Sequence, residues 1–387
     1  MRQTIVPLGE IIQPAKTKKA GDTQYPLLSM TMRDGLVDPS NKFKKRIASD
    51  DTSGYKVVSR GQLVVGFPID EGVLSFQNLH DNAIVSPAYG IWDLKNPQKI
   101  HSTYVEKFLK SPTAITYYLG KLRSTTARRR SLDRSSFLAL PVPLPSLEEQ
   151  KRVAGILDQA ASLCRLRTLA VDKLNTLGQA IFYEMFSQGA QMRPSSQLGE
   201  LLTFVTSGGR GWAKYYSEVG NRFIRSLDVQ TNEIGNEEVV LVSPPDSAEA
   251  RRTKIACGDV LLTITGSKIG RAAPIPDALA GSFISQHVAI LRPNRSLVLP
   301  DFLSFFLNMK EYGQKQIRAN QYGQAKPGLN FEQIKGFQIP DISIEEQAVF
   351  VERVEEVRKI EAKMKVQKDA TLDLFASLQH RAFRGEL

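Results

Sequence analysis

Residues 143–158 read PLPSLEEQKRVAGILD, and residues 340–354 read PDISIEEQAVFVERV. In both, a proline-marked segment passes through Ser-x-Glu-Glu-Gln into a run whose apolar residues step by three and four. Ser146 and Ser343 stand three residues before Glu149 and Glu346. That is capping-box spacing, in which hydroxyl and carboxylate each satisfy an unpaired backbone N–H at a helix start. From there Leu157, Ala160, Cys164, Arg167, Val171, Leu174, Gly178 and Ile181 form one stripe, and Val354, Val357, Ile360, Met364, Gln367, Thr371, Leu374 and Leu378 form another. About 40 residues of helix rise about 60 Å, which calls for a partner along the whole length. The two helices are therefore expected to pair with each other, with the apolar members of both stripes in the seam. Arg167, Gln367 and Thr371 would fix the register as polar seam residues.

Comparable intervals separate further matching segments. Leu8-Gly9-Glu10 returns as Leu198-Gly199-Glu200, and Gly61-Gln62-Leu63-Val64-Val65 as Gly258-Asp259-Val260-Leu261-Leu262. Tyr104, Val105, Phe108 and Leu109 match Phe302, Leu303, Phe306 and Leu307 at helical spacing. Leu132, Phe137, Leu140, Val142 and Pro143 match Leu329, Ile334, Phe337, Ile339 and Pro340. Matches in the same order mark a tandem duplication. The boundaries are 1–146 (first head), 147–194 (first helix), 195–342 (second head) and 343–387 (second helix). The heads mix short β-type runs with helical stretches, so the class is α+β, two pseudo-symmetric α/β heads and two long helices forming an antiparallel coiled coil. Equivalent faces pairing about a pseudo-two-fold axis would set the heads at opposite ends of the helical pair.

Composition narrows the ligand. The chain has 387 residues, 42% hydrophobic and 24% charged, with a net charge of +11. Residues 1–146 carry 21 Lys and Arg against 12 Asp and Glu; residues 195–342 carry 16 against 14. Such an excess favours a polyanion, nucleic acid before an acidic membrane surface. No apolar run approaches the length of a membrane span, and the first ten residues lack a signal-peptide core, so a cytoplasmic protein is expected. Cys164 and Cys257, the only cysteines, are expected to be buried and reduced rather than bridged.

The stretch LPVPLPSLEEQKRVAGILD (140–158), the Leu-Gly-Glu opening each half and the C-terminal LQHRAFRGEL resemble the DNA specificity subunit of type I restriction-modification systems. The resemblance covers the whole chain. It implies a non-catalytic subunit whose two target-recognition domains each read one half of a bipartite, asymmetric DNA sequence. It also implies two methyltransferase subunits and restriction/translocase subunits as partners. S-adenosylmethionine, ATP and Mg2+ would then belong to the partners, with no cofactor or metal on this chain. A single-chain DNA methyltransferase or restriction enzyme, and a helical scaffold protein, are the competing readings.

Catalytic motifs are absent from the sequence. There is neither a cofactor loop nor an Asn- or Asp-Pro-Pro-aromatic motif for adenine methylation. TGSKIG (265–270) lacks the P-loop ending and reads as a turn between strands, with Lys268 a possible phosphate contact. Pro340-Asp341 with Glu361 and Lys363 mimics a nuclease pattern, but about nineteen residues of helix would hold the charges about 25–30 Å apart. His287, in an apolar strand pattern, is expected in the core.

Candidate DNA contacts come from four loops. Lys42, Lys44, Lys45 and Arg46 form a phosphate-directed cluster. STTARRRSLDRSS (124–136) carries Arg128, Arg129 and Arg130, and its counterpart NQYGQAKPGL (320–329) carries Gln321, Tyr322, Gln324 and Lys326. Arg suits guanine and Gln suits adenine, so these two loops can read bases. SGGRGWAKYY (207–216) offers Arg210, Lys214 and Tyr215, with Trp212 either at the contact or packed beneath it.

Overall fold

The structure, a computed structural model, describes residues 4–32, 34–39, 51–122, 132–186, 194–323 and 327–387. Four helices organise it: α1 (Ser102–Leu109), α2 (Leu147–Phe186), α3 (Pro300–Asn308) and α4 (Ile344–Ala382). The chain forms two compact units, Met1–Ala170 with Met364–Leu387, and Val171–Lys363. Each long helix is thus divided between them.

In the first unit the strands Ile12–Pro14, Gly90–Leu94, Leu63–Val65 and Leu74–Phe76 form an antiparallel sheet in that order. The prolines before α2 form an edge strand, Pro141–Leu144, paired with Thr4–Pro7, where missing N–H groups cost no ladder bond. This clips both ends of the head together at the start of the long helix. One core joins Leu8, Ile11, Tyr104, Phe108, Tyr118 and Phe137 to Leu157 of α2 and to Phe383 just beyond α4. Phe383 packs edge-on against Tyr104 and Phe108, at centroid distances of 5.6 and 5.2 Å. Burying such a side chain contributes roughly 1.5–3 kcal/mol.

The second unit repeats the plan. Leu202–Ser207, Val288–Pro293, Val260–Thr263 and Ala272–Pro274 form the antiparallel sheet, and Ser195–Gln197 pairs with Gln338–Pro340. Its core is aromatic, with Phe182 and Phe186 of α2, Phe302 and Phe306 of α3, and Phe350 of α4. Phe182 and Phe350 centroids lie 5.6 Å apart.

The repeated Ser-x-Glu-Glu-Gln has a specific task at each site. Gln150 is buried on α2; its Oε1 accepts from His101 N at 2.9 Å, and its Nε2 donates to Lys99 O at 3.1 Å and Pro145 O at 2.9 Å. Gln347 does the same on α4: Oε1 accepts from Leu299 N at 2.8 Å, and Nε2 donates to Leu297 O at 3.1 Å and Ile342 O at 2.8 Å. One amide satisfies the backbone before α1 or α3 and anchors it to the long helix. The capping box is complete only in the second copy, where Glu346 N donates to Ser343 Oγ at 3.2 Å and Ser343 N to Glu346 Oε2 at 3.3 Å. In the first, Glu149 N donates to Ser146 Oγ at 3.3 Å, but the Glu149 carboxylate turns to Arg152 at 2.7 and 2.8 Å. That hydrogen bond holds the Glu149 carboxyl below its ordinary range.

The helices run antiparallel within each unit. In the first, Arg152 reaches Leu387 O at 2.7 Å, Cys164 Sγ lies 3.6 Å from Thr371 O, and Arg167 donates to Gln367 Oε1 at 2.7 Å. In the second, Gly178 faces Val354 and Phe305. Leu157 and Val171 are buried, as is Val354; Ala160, Leu174, Ile181, Val357, Met364 and Leu378 are half-buried. Two expected seam residues lie elsewhere: Ile360 and Leu374 are 51% and 56% exposed. The covered face of α4 steps through Phe350, Val354, Val357, Glu361, Met364, Lys368, Thr371, Phe375, Leu378 and Ala382, alternating fours and threes. That is a heptad seam. Its phase places Glu361 and Phe375, not their apolar neighbours Ile360 and Leu374, on the inside. Gln367 is exposed and sits at the seam's edge. Cys164 is buried as expected, whereas Cys257 is exposed; both are free thiols.

Candidate nucleic-acid interface

In the second unit the sheet register brings three segments to one end. Ser207 pairs opposite Ala289, and Thr263 opposite Val288, so the chain leaves two strands and enters the third at the same edge. Beyond Thr263, Ile264 N donates to His287 O and accepts Leu329 N at its carbonyl, at 2.9 and 3.0 Å. Thr265 stands opposite Gly328, and Tyr322 and Gly328 exchange two backbone hydrogen bonds, at 3.1 and 2.9 Å. The loop carrying Gln321 and Tyr322 is thereby tied to the turn carrying Thr265 and Lys268.

His287 departs from its expected place. It is exposed at the first turn into the strand, with Nδ1 against Thr265 Oγ1 and Nε2 3.1 Å from Gln286 Nε2. The buried strand Val288–Pro293 begins just after His287, which leaves His287 at the sheet's rim. Thr265, Gln286, His287, Gln321 and the exposed Tyr322 therefore share a polar rim of donors and acceptors, the chemistry that reads base edges.

The loop after Ser207 borders the same rim. Gly208 lies against the backbone of Ile284 and Ser285, and Gly209 against Glu249 and Trp212, where any Cβ would collide. Trp212 is buried, stacked on Phe223 at 5.7 Å and 11°, and its Nε1 donates to Glu249 Oε2 at 3.3 Å. Packing is thus the role of Trp212, and the anchored turn leaves Arg210 and Lys214 exposed. Lys214 lies 4.9 Å above the half-buried ring of Tyr215. Lys268 is half-buried and lines a polar cavity of about 690 Å³ with Arg225, Asp228, Gln230 and Arg271.

The first unit presents the equivalent edge with different chemistry. After Pro14, which pairs with Trp92, come the exposed Lys16, Lys18 and Lys19. They occupy the place that Arg210 takes in the second unit. Sequence reading passed over them; their signal was the short run AKTKKAG, weaker than the clusters at 42–46 and 128–130. Beside this edge a cavity of about 360 Å³ is lined by Phe67, Ile69, Trp92, Arg134 and Phe137, with the Arg134 guanidinium 5.6 Å from the Trp92 ring. Lys42, Lys44, Lys45, Arg46, Arg128, Arg129, Arg130, Gln324 and Lys326 lie outside the described residues.

At the far end of both sheets from this rim one polar pair recurs with its partners exchanged. In the second unit Asp259 is fully buried and takes a bidentate bond from Arg292, at 2.7 and 2.8 Å, which raises the Arg292 guanidinium above its ordinary range. At the matching positions of the first unit Gln62 donates to Asp93 at 2.7 Å. The duplication kept the pairing site and changed its charges.

The nuclease-like residues do not form a site. Asp341 accepts from Ser196 at 2.7 Å, while Glu361 lies on the covered face of α4. Among the described residues no group of three or more His, Cys, Asp or Glu is placed to hold a metal ion, and no helix is long and apolar enough to cross a membrane.

No family model matches the chain. Three curated relatives are specificity subunits of type I restriction enzymes. The MjaVIII subunit of Methanocaldococcus jannaschii is 24% identical over 385 residues, covering 91% of this chain and 85% of that protein. The EcoBI subunit of Escherichia coli is 28% identical over 172 residues, 43% of this chain and 36% of that protein. The StySPI subunit of Salmonella potsdam is 27% identical over 332 residues, 75% and 67% respectively. Among solved structures, a chain from work on assembly and conformational transition of the type I R-M system matches over the full length of both, with a TM-score of 0.63 and 17% identity. The type I restriction-modification S subunit of M. genitalium matches over 99% of this chain and 96% of its own, with a TM-score of 0.55 and 13% identity.

Proposed function

We propose, from the chain's place among the type I restriction specificity subunits, that it is the DNA-reading subunit of a restriction-modification complex. Each head reads one half of a bipartite, asymmetric sequence, and neither performs chemistry. The observation that carries this reading is the convergence of Thr265, Gln286, His287, Gln321 and Tyr322 on one rim, next to Arg210. Hydroxyl, amide, imidazole and phenol groups there can match base edges, while Arg210 and Lys214 hold phosphates. The first head, with its larger basic excess, relies more on phosphate contacts.

Partner subunits would supply the reaction. Two methyltransferase subunits would dock on the long helices, whose outer faces expose Leu163, Leu166 and Leu177 on α2 and Ile360 and Leu374 on α4. Restriction/translocase subunits would join for cleavage, and S-adenosylmethionine, ATP and Mg2+ would bind those partners in the cytoplasm. Methylome sequencing of the host with and without this gene tests the proposal. Loss of methylation at one two-part sequence is expected; an unchanged methylome in a host with active methyltransferase partners would contradict it.

A further inference from the structure

Residues 18–20 run as an extra strand beside Lys56–Ser59: Val57 N donates to Lys18 O at 2.8 Å and Ala20 N to Tyr55 O at 2.9 Å. In this register Lys19 stands directly opposite Lys56. Opposed residues on antiparallel strands present their side chains on the same face, with Cβ atoms about 4.5–5.5 Å apart, and like charges there destabilise the pair. Lys56 is steered by its Nζ, which donates to Tyr89 O at 2.8 Å. Among the described residues neither lysine has a carboxylate within ion-pair distance, nor do Lys16 and Lys18 beside them. Among the described residues Lys19 and Lys56 thus stand opposite each other without a carboxylate partner, at the edge of the first head that corresponds to the reading rim of the second.

Two like charges held in register cost the free protein stability and fit an anion that lies between them. The geometry points to a phosphate clamp: Lys19 and Lys56 grip a phosphodiester of the DNA strand crossing the first head. This rests on the DNA-reading function above. It adds that the first head holds its half-site by the backbone at a preset place and leaves base choice to other residues. The ladder fixes the two lysines opposite each other, so the clamp acts at one register along the strand and does not attract DNA diffusely.

The test uses the full chain and a fluorescein-labelled duplex carrying the sequence methylated in the host, titrated by anisotropy from low to moderate salt. Each phosphate contact contributes about 0.9 to the slope of log affinity against log salt. The Lys19→Gln/Lys56→Gln variant, which gives up one gripped phosphate, is expected to lower that slope by about 0.9. Its ranking of duplexes altered in the first half-site should stay that of the wild type. Lys19→Gln alone, which breaks no hydrogen bond, should leave the thermal midpoint of the free protein unchanged or raised. Lys359→Gln/Lys363→Gln, two exposed α4 changes that together remove the same charge, serves as control and should keep the wild-type slope. A wild-type slope in the Lys19→Gln/Lys56→Gln variant, or an equal fall in the charge-matched α4 control, overturns the clamp. A wild-type chain with no sequence preference at all would instead overturn the DNA-reading function.

Discussion

Replacing Gln347 with Leu keeps much of the side chain's volume and removes three buried hydrogen bonds, to Leu299 N, Leu297 O and Ile342 O. Each contributes about 1 kcal/mol net, and stranding an N–H and two carbonyls without water adds to the loss, so the cost is about 3–5 kcal/mol. Gln150→Leu should cost the first unit a similar amount, since its amide makes the same three kinds of bond. Urea unfolding followed by far-ultraviolet circular dichroism reads the effect. With a slope of about 2 kcal/mol per molar, the midpoint should fall by about 1.5–2.5 M. Gln347→Glu sharpens the test. Its carboxylate would face the Leu297 and Ile342 carbonyls, which raises its folded pKa above the unfolded value of about 4.3. The variant should therefore come closest to the wild type below about pH 4, one donor short because a neutral carboxyl has a single O–H, and lose stability as pH rises above that value. A Gln347→Leu cost below about 1 kcal/mol, or a pH-independent Gln347→Glu cost, would refute the latch.

Three further outcomes follow from the packing and the rim. Leu157→Asp, fully buried, should cost several kcal/mol, whereas Ile360→Asp, exposed on α4, should stay within about 0.5 kcal/mol by the same unfolding assay. Equal costs would restore Ile360 to the seam. Gly208→Ala forces a Cβ into the Ile284 carbonyl and should destabilise the second unit by about 1–3 kcal/mol, read as a lower thermal midpoint. His287→Ala and Tyr322→Ala should each weaken binding by about 1–3 kcal/mol and relax preference only in the half-site read by the second head, scored on a library of altered duplexes.

The sequence disclosed the duplicated frame because the frame rests on local signals: caps, helical period, and turn glycines before buried strands. Gln150 and Gln347 were visible as part of a repeated motif, but their task was not. It depends on backbone groups about fifty residues away in sequence, which no local pattern marks. The seam of α4 was misphased at Ile360 and Leu374 because hydrophobicity was followed where the heptad continued through Glu361 and Phe375. His287 was assigned to the core because an apolar run surrounds it, although the strand begins just after it. At the candidate site loop composition alone points to Arg210, Lys214, Gln321 and Tyr322. Thr265, Gln286 and the lysines at 16–19 were missed, since only strand register shows that these short segments meet a rim.

The central claim is that two heads each read one half of a two-part sequence. Exchanging residues 1–146 for the corresponding head of another specificity subunit, then sequencing the host methylome, tests it most directly. One half of the methylated sequence should change, while the other half and the length of the unread spacer stay fixed. A methylated sequence that changes in both halves, or that proves to be one contiguous block, would contradict it.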